Sequence, residues 1–305
     1  MFNFARWSIV SLIAIGLYGC STTGTQHNTT PSQAREPVIA IALGGGGAKG
    51  FAHIGVLKVL EAHGIKAKIV TGTSSGSFVG SLYASGKTPV QLQQLAAQLK
   101  ESDIRDLTIS RQGFVVGQKL QDYINREIGN KSIQQFPIRF AAVATRLDNG
   151  QKVNFTRGNA GQAVRASCSI PNVFIPAKIG GVQYVDGGLV SPIPVKTAKS
   201  MGADIVIAVD ISARPAGTSA SSLLGLLDQT INIMGQQAIN DELSHANVVI
   251  QPKVEKIGPM DLRSGQVAIL EGEQAAQQKI KAIQTAIYNF KQSPAALLPP
   301  PRPAF

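Results

Sequence analysis

Cysteine, histidine and tryptophan are scarce in this chain. Two Cys, four His and one Trp stand among 305 residues. Two cysteines cannot build a disulfide framework. Four scattered His and two Cys do not supply the closely spaced four-ligand sets of structural zinc sites, so neither a metal nor an organic cofactor is expected. Charge is also sparse, at 15% of residues, and basic residues outnumber acidic ones by 29 to 18, for a formal net charge of +11. No Arg/Lys-rich run or aromatic–basic motif accompanies that excess, so nucleic acid is not an expected partner. Apolar residues, in contrast, make up 44% of the chain. That excludes a disordered protein and suits one large or two small domains with a real core.

The first twenty residues stand apart from any fold. Arg6 gives a positive start, and the apolar stretch from Trp7 to Leu17 follows it. This stretch is too short to cross a bilayer, which takes ~20 apolar residues, and suits a secretory signal peptide. Leu17-Tyr18-Gly19-Cys20 resembles the lipobox of bacterial lipoproteins. That resemblance implies cleavage before Cys20, a lipid on its thiol and, with Ser21 next, outer-membrane sorting toward the periplasm. An ordinary secreted protein cut nearby is the competing reading. An acylated Cys20 leaves Cys168 as the sole thiol and allows no intramolecular disulfide. The expected organisation is a signal peptide over 1–19, an acylated Cys and flexible tether over 20–36, a folded domain over 37–291 and an extended Pro-rich tail over 292–305. A basic surface also suits a position beside an anionic membrane, although a merely solvated basic face explains the charge equally well.

The body alternates strand and helix signals. Val38–Leu43 is a continuous apolar run ending at glycines, as in a strand buried on both faces. Gly50–His63 has helical spacing and stops at Gly64. Ile65–Thr71 reads as a strand and Phe78–Ser85 as a helix. Pro89–Leu99 reads as a helix with Thr88 at its N-cap and Pro89 at the first helical position. Further strands are expected at Ile138–Ala144, Lys152–Thr156, Val182–Val185, Ile205–Asp210 and Val248–Ile250. Further helices are expected at Gln118–Ile128, Asn159–Ala166, Pro194–Met201, Ser221–Ile239 and Gly265–Tyr288. The alternation predicts a single α/β domain in three layers, with a mostly parallel central sheet and helices on both faces.

Three motifs bear chemistry. Gly72-Thr73-Ser74-Ser75-Gly76, between a strand and a helix, fits the G-x-S-x-G turn that raises a serine nucleophile above a sheet. Gly44-Gly45-Gly46-Gly47-Ala48-Lys49-Gly50 exposes backbone N–H groups at a helix start, an anion site. A P-loop reading fails because Ala48 precedes Lys49 and Gly50 follows it. A dinucleotide reading lacks the acid expected at the end of the next strand. An oxyanion hole made by Gly45, Gly46 and Gly47, with Lys49 adding charge, fits because the serine turn follows the very next strand. Asp186-Gly187-Gly188, after an apolar run, offers a general base for Ser74. Asp148 and Asp210 follow apolar runs too and compete for that role.

Taken together, these pieces resemble a bacterial patatin-like phospholipase. The resemblance also rests on Ala52-His53-Ile54-Gly55-Val56-Leu57 and on Arg165-Ala166-Ser167-Cys168-Ser169-Ile170-Pro171. It spans roughly Val38 to Asp210. It implies a serine acyl hydrolase working with a Ser74–Asp186 dyad, acting on phospholipids or related acyl esters, and needing no histidine. Many members carry Arg where Lys49 stands. The Ser167–Pro171 block shapes the site in that family. Two other readings stay open. A Ser74, Asp186, His245 triad of the conventional hydrolase order is one, although His245 reads as a helix cap. A non-catalytic envelope binding module is the other. His53 is expected to pack, His63 to cap its helix and His27 to lie in the tether.

Overall fold

A computed structural model describes residues 34–212 and 223–304. Cys20, the signal segment and most of the expected tether lie outside the described residues. In chain order the elements are β1 (Ile39–Leu43), α1 (Ala52–Ala62), β2 (Ile69–Thr73), α2 (Ser75–Ala84), α3 (Pro89–Gln98), α4 (Glu101–Ile104), α5 (Gln118–Glu127), β3 (Arg139–Arg146), β4 (Lys152–Phe155), α6 (Ala160–Ser167), β5 (Ala177–Ile179), β6 (Val182–Asp186), α7 (Val195–Ser200), β7 (Ile205–Val209), α8 (Leu223–Ser244), β8 (Val248–Ile250) and α9 (Gly265–Gln292).

Strands β8, β7, β1, β2 and β3 lie side by side and all pair in parallel. The parallel core matches the alternating pattern, but the sheet as a whole is mixed. β4 and β6 both pair antiparallel with β3, and β5 pairs antiparallel with β6. β1 is buried at all five positions, which explains its unbroken apolar run. Its alternate residues feed two cores. Ile39, Ile41 and Leu43 join Leu57 and Leu60 of α1 and Ile269 and Ile280 of α9. Ala40 and Ala42 meet Val195 and Ala198 of α7 and Ile239 of α8.

Arg35 to Val38 and the described tail are fixed parts of this body. The Arg35 guanidinium donates to both Asp204 oxygens at 2.6 and 2.9 Å, and the Val38 N–H adds a third bond at 2.7 Å. The Arg35 N–H also donates to the Ala296 carbonyl. The expected tether over 20–36 is therefore held from Arg35 onward. The expected extended tail instead begins with a 3-10 turn at Pro294–Leu297, and its Ala304 N–H donates to Ser200. β5 and α4 carry no strong periodicity and are unforeseen. α8 runs to Ser244, five residues beyond its expected end. Among the described residues no helix is long and apolar enough to cross a membrane, and no His/Cys/Asp/Glu group could hold a metal.

Removing Asp204 strands the Arg35 charge and the Val38 N–H. We expect Asp204→Ala to lower unfolding stability by about 2–4 kcal/mol in urea titrations.

Candidate active site

The centre of the site is a junction of two strands along one edge of β3. β2 runs parallel to β3 and its pairing ends at Thr73 opposite Val143. β6 runs the other way and its pairing ends at Asp186 opposite Ala144. β4 pairs with Ala142 to Thr145. A strand has two edges, so β4 occupies one while β2 and β6 share the other, carboxyl end to carboxyl end. Both chains must leave the sheet at the same point. Ser74 and Asp186 are the residues at which they do so.

At Ser74 the backbone takes φ 52° and ψ −124°, a conformation costly for a residue with a side chain, of order 1–3 kcal/mol. Ser74 is the first residue past β2 and caps α2, as a strand–turn–helix nucleophile requires. The turn is tight enough that a Cβ on Gly76 would fall 2.1 Å from the Leu43 carbonyl oxygen. The Ser74 N–H, which has no strand partner at the junction, donates to the Ser167 hydroxyl at 2.9 Å. Ser167 in turn donates to the Val143 carbonyl at 2.5 Å. The buried Ser167 side chain thus ties the end of β2 to β3, at the point along β3 where the pairing with β6 begins. The motif pattern contained Ser167 but gave no sign of this role.

Asp186 exits the other strand end. Gly187 makes the exit possible, because a Cβ there would lie 2.2 Å from the Val143 carbonyl oxygen. Asp186 Oδ1 accepts the Gly188 N–H at 2.7 Å. Oδ2 is buried and closes no hydrogen bond. Burial pushes the carboxyl up to about 6, with the Ser74 hydroxyl and the Gly188 N–H pulling it back down. The Ser74 hydroxyl therefore acts on the carboxylate while Oδ2 closes no hydrogen bond.

The glycine loop follows β1, immediately beside β2. The Gly45 N–H donates to the Pro192 carbonyl at 3.0 Å, so it is already used. Among the described residues the Gly46 and Gly47 N–H groups make no hydrogen bond. Gly45, Gly46 and Gly47 line the same cavity as Ser74 and Asp186. Lys49 is buried in the following turn and is not among the lining residues. The cavity holds about 210 Å³, and its remaining walls are largely apolar, including Phe78, Val79, Leu120, Val173, Phe174 and Ile239.

His53 is completely buried on α1 and faces the loop. Burial draws its pKa down to about 4, against the opposing pull of the Gly44 carbonyl. The neutral ring shares a 2.8 Å bond between Nε2 and that carbonyl, fixing the start of the loop. His63 bonds the Val59 carbonyl through Nδ1 and ends α1 as a cap. His245 is exposed at the end of α8, bonded to the Asp241 carbonyl. Its neighbour Asn247 pairs with Val206 at the start of β7. His245 therefore sits at the amino ends of the parallel strands, whereas Ser74 stands at the carboxyl ends. The competing acids are also placed elsewhere. Asp148 is ion-paired with Arg146 at the surface, and Asp210 accepts from Ser212 and Gln251. Cys168 is buried beside Ser77, and burial holds its thiol well above the usual range.

A serine on a strained turn, an open buried carboxylate and unpaired loop amides around an apolar cavity define a site suited to acyl transfer. Residues 41–199 match the model of the patatin-like phospholipase family, and the chain belongs to that family. It is 34% identical over 200 residues to an uncharacterized NTE family protein of Mycobacterium tuberculosis, covering 65% of this chain and 56% of that one. It is 35% identical over 181 residues to lysophospholipase NTE1 of Coccidioides immitis, covering 57% of this chain and 12% of the fungal protein. The chain thus spans about half the length of the mycobacterial relatives. VipD of Legionella pneumophila shares the fold, with a TM-score of 0.57 at 13% identity over 83% of this chain and 68% of VipD.

Three outcomes are expected. The kcat/KM for a soluble ester rises with pH through about 6 as Asp186 loses its proton, and its plateau does not depend on His245, which His245→Ala checks. Asp186→Asn removes turnover yet stabilises the fold. The raised carboxyl pKa makes wild-type stability fall as pH rises from about 4 to about 6, so the variant's advantage is absent below pH 4. It reaches about 1–3 kcal/mol above pH 6 in denaturant titrations. Ser167→Ala leaves the Ser74 N–H buried and unpaired, and lowers kcat about 10–100-fold with KM little changed, by analogy with other misplaced catalytic groups.

Proposed function

We propose that this protein is a serine acyl ester hydrolase acting on phospholipids or lysophospholipids through a Ser74–Asp186 dyad. The observation that carries the reading is the meeting of β2 and β6. It sets a strained serine against a buried carboxylate with an open oxygen, over an apolar cavity. Ser74 Oγ attacks the ester carbonyl while its proton passes to Asp186 Oδ2. The carbonyl oxygen becomes an oxyanion facing the Gly46 and Gly47 N–H groups, an interaction worth ~3–4 kcal/mol per donor in comparable sites. Collapse expels the alcohol, which takes the proton from Asp186. Water then attacks the acyl-serine, gives its proton to Asp186, and releases the fatty acid as Ser74 recovers that proton.

An isolated Asp is a weak base for this task. Burial that lifts its pKa to about 6 brings it nearer the working pH and strengthens it. The apolar walls suit an acyl chain, and the lysophospholipase name of the fungal relative agrees with that chemistry. A lipid-anchored form fits the lipobox-like Leu17–Cys20 segment, with the enzyme held at the outer membrane and facing the periplasm. The binding-module reading is disfavoured by the open Asp186 oxygen set against Ser74, a buried pair that acyl transfer uses and passive binding does not need.

Defined lysophosphatidylcholine and phosphatidylcholine, followed by mass spectrometry of products, test the activity. We expect free fatty acid from the wild type and none from Ser74→Ala; equal release by both would reject the dyad. Radiolabelled palmitate in a bacterial host tests the anchor. The wild type should take up label in the membrane fraction and Cys20→Ser should not.

A further inference from the structure

The walls of the cavity continue outward into exposed apolar residues on two sides. On one side a hairpin forms between α4 and α5, closed by an antiparallel bridge from Leu107 to Val115 and by the Thr108 N–H donating to the Phe114 carbonyl. Its base is clamped. Val115 bridges Phe174, the Phe114 N–H donates to Val173, and Arg165 donates to the Val116 carbonyl. The Asp106 carboxylate also accepts the Gly117, Gln118 and Lys119 N–H groups at the start of α5. Val173 and Phe174 are themselves cavity walls. Beyond that rigid base, Leu107, Ile109 and Phe114 project into solvent at 80%, 104% and 60% exposure. These bonds hold the base of the hairpin against the cavity wall, with the three apolar side chains outside it.

On the other side, Leu189 follows the Asp186 turn, and Ile233 and Met234 precede Gly235 on α8; all three are exposed. Gly188 and Gly235 line the cavity and lie against each other, since a Cβ on Gly235 would come 3.9 Å from the Gly188 carbonyl oxygen. The charge pattern is equally specific. The hairpin from Leu107 to Val115 carries Arg111 and no acid, and α8 from Gln229 to Asn240 carries no charged residue.

We infer that this rim docks the protein on the surface of a phospholipid bilayer, with the hairpin tip at Ile109 entering the boundary between headgroups and acyl chains. The inference rests on the lipid-hydrolase reading of the same site. Fixed exposed apolar side chains on both sides of an apolar cavity let an acyl chain pass from bilayer to cavity without crossing water. The absence of acid from the hairpin and of any charge from Gln229 to Asn240 favours a lipid interface over a strongly charged protein partner. Apolar groups of this kind settle into the interfacial region of a bilayer. The single arginine at the tip suits the headgroup layer.

Ile109 does not line the cavity, so its replacement separates docking from chemistry. With full-length chains in the same processed form, Ile109→Asp should cut hydrolysis of phosphatidylcholine vesicles at least tenfold. It should leave kcat/KM on a soluble butyrate ester within twofold. A direct reading uses Ile109→Trp with Trp7 replaced by Phe, on vesicles of brominated phosphatidylcholine. We expect strong quenching at position 109. We expect little with Tyr288→Trp, on the stretch of α9 that leads to the Arg35 contact at the amino ends of the strands. Unchanged vesicle hydrolysis by Ile109→Asp, or no quenching at 109, would overturn the proposal. So would sedimentation showing that the rim pairs two copies of the chain and that Ile109→Asp separates them with vesicle binding intact. If no ester is hydrolysed at all, the enzymatic reading fails, and the quenching experiment still decides the docking.

Discussion

Two strands compete for one edge of β3, and the site depends on how that conflict is resolved. β2 arrives parallel, β6 arrives antiparallel, and their last paired residues face Val143 and Ala144. Neither can continue. A sheet usually ends its strands independently, so a serine and an acid on one rim need loops to bring them together. Here the backbone pairing does it, and the precision is that of a strand register. The cost falls on the turns: a strained Ser74, a Gly187 with no room for a side chain, and a Ser74 N–H with no strand partner. Ser167 supplies that partner.

In the proposed dyad the same geometry accounts for catalysis without a histidine. A carboxylate is ordinarily too acidic to take a hydroxyl proton efficiently. Burial at the junction raises Asp186, and only the Gly188 N–H bond keeps one of its oxygens occupied. The buried histidine of the site, His53, does not titrate in the neutral range and serves the glycine loop. In the proposed mechanism, positioning and burial take the place of an imidazole. The mixed edge of the sheet, together with the glycine loop after β1, carries the proposed site.

Much of this was legible in the sequence, and the limits have physical reasons. The unbroken apolar runs of β1 and β7 identify strands buried on both faces. Gly72 to Gly76 identifies a turn between strand and helix. The acid after β6 was one of three candidates, since an apolar run followed by Asp also describes Asp148 and Asp210. Only pairing partners separate them: one lies in a surface ion pair, one in a turn with Ser212, and one against Ser74. Local pattern could not show that β6 runs antiparallel, because a strand's direction is set by distant partners. Nor could it distribute the loop amides, where the Gly45 N–H is taken by Pro192, 147 positions away in sequence. Ser167 and the hairpin clamp were hidden for the same reason. Short β5 and the 3-10 turn of the tail carry too few residues for any period to register.

The central claim is that Ser74 forms a covalent bond to the acyl group at this junction. Acid quench of the protein during turnover of a slow short-chain ester, followed by peptide mapping in a mass spectrometer, tests it directly. The account predicts one acyl group per chain, on the peptide containing Ser74. An adduct on Ser212 or Cys168, or hydrolysis with no acylated peptide at any time, would contradict it.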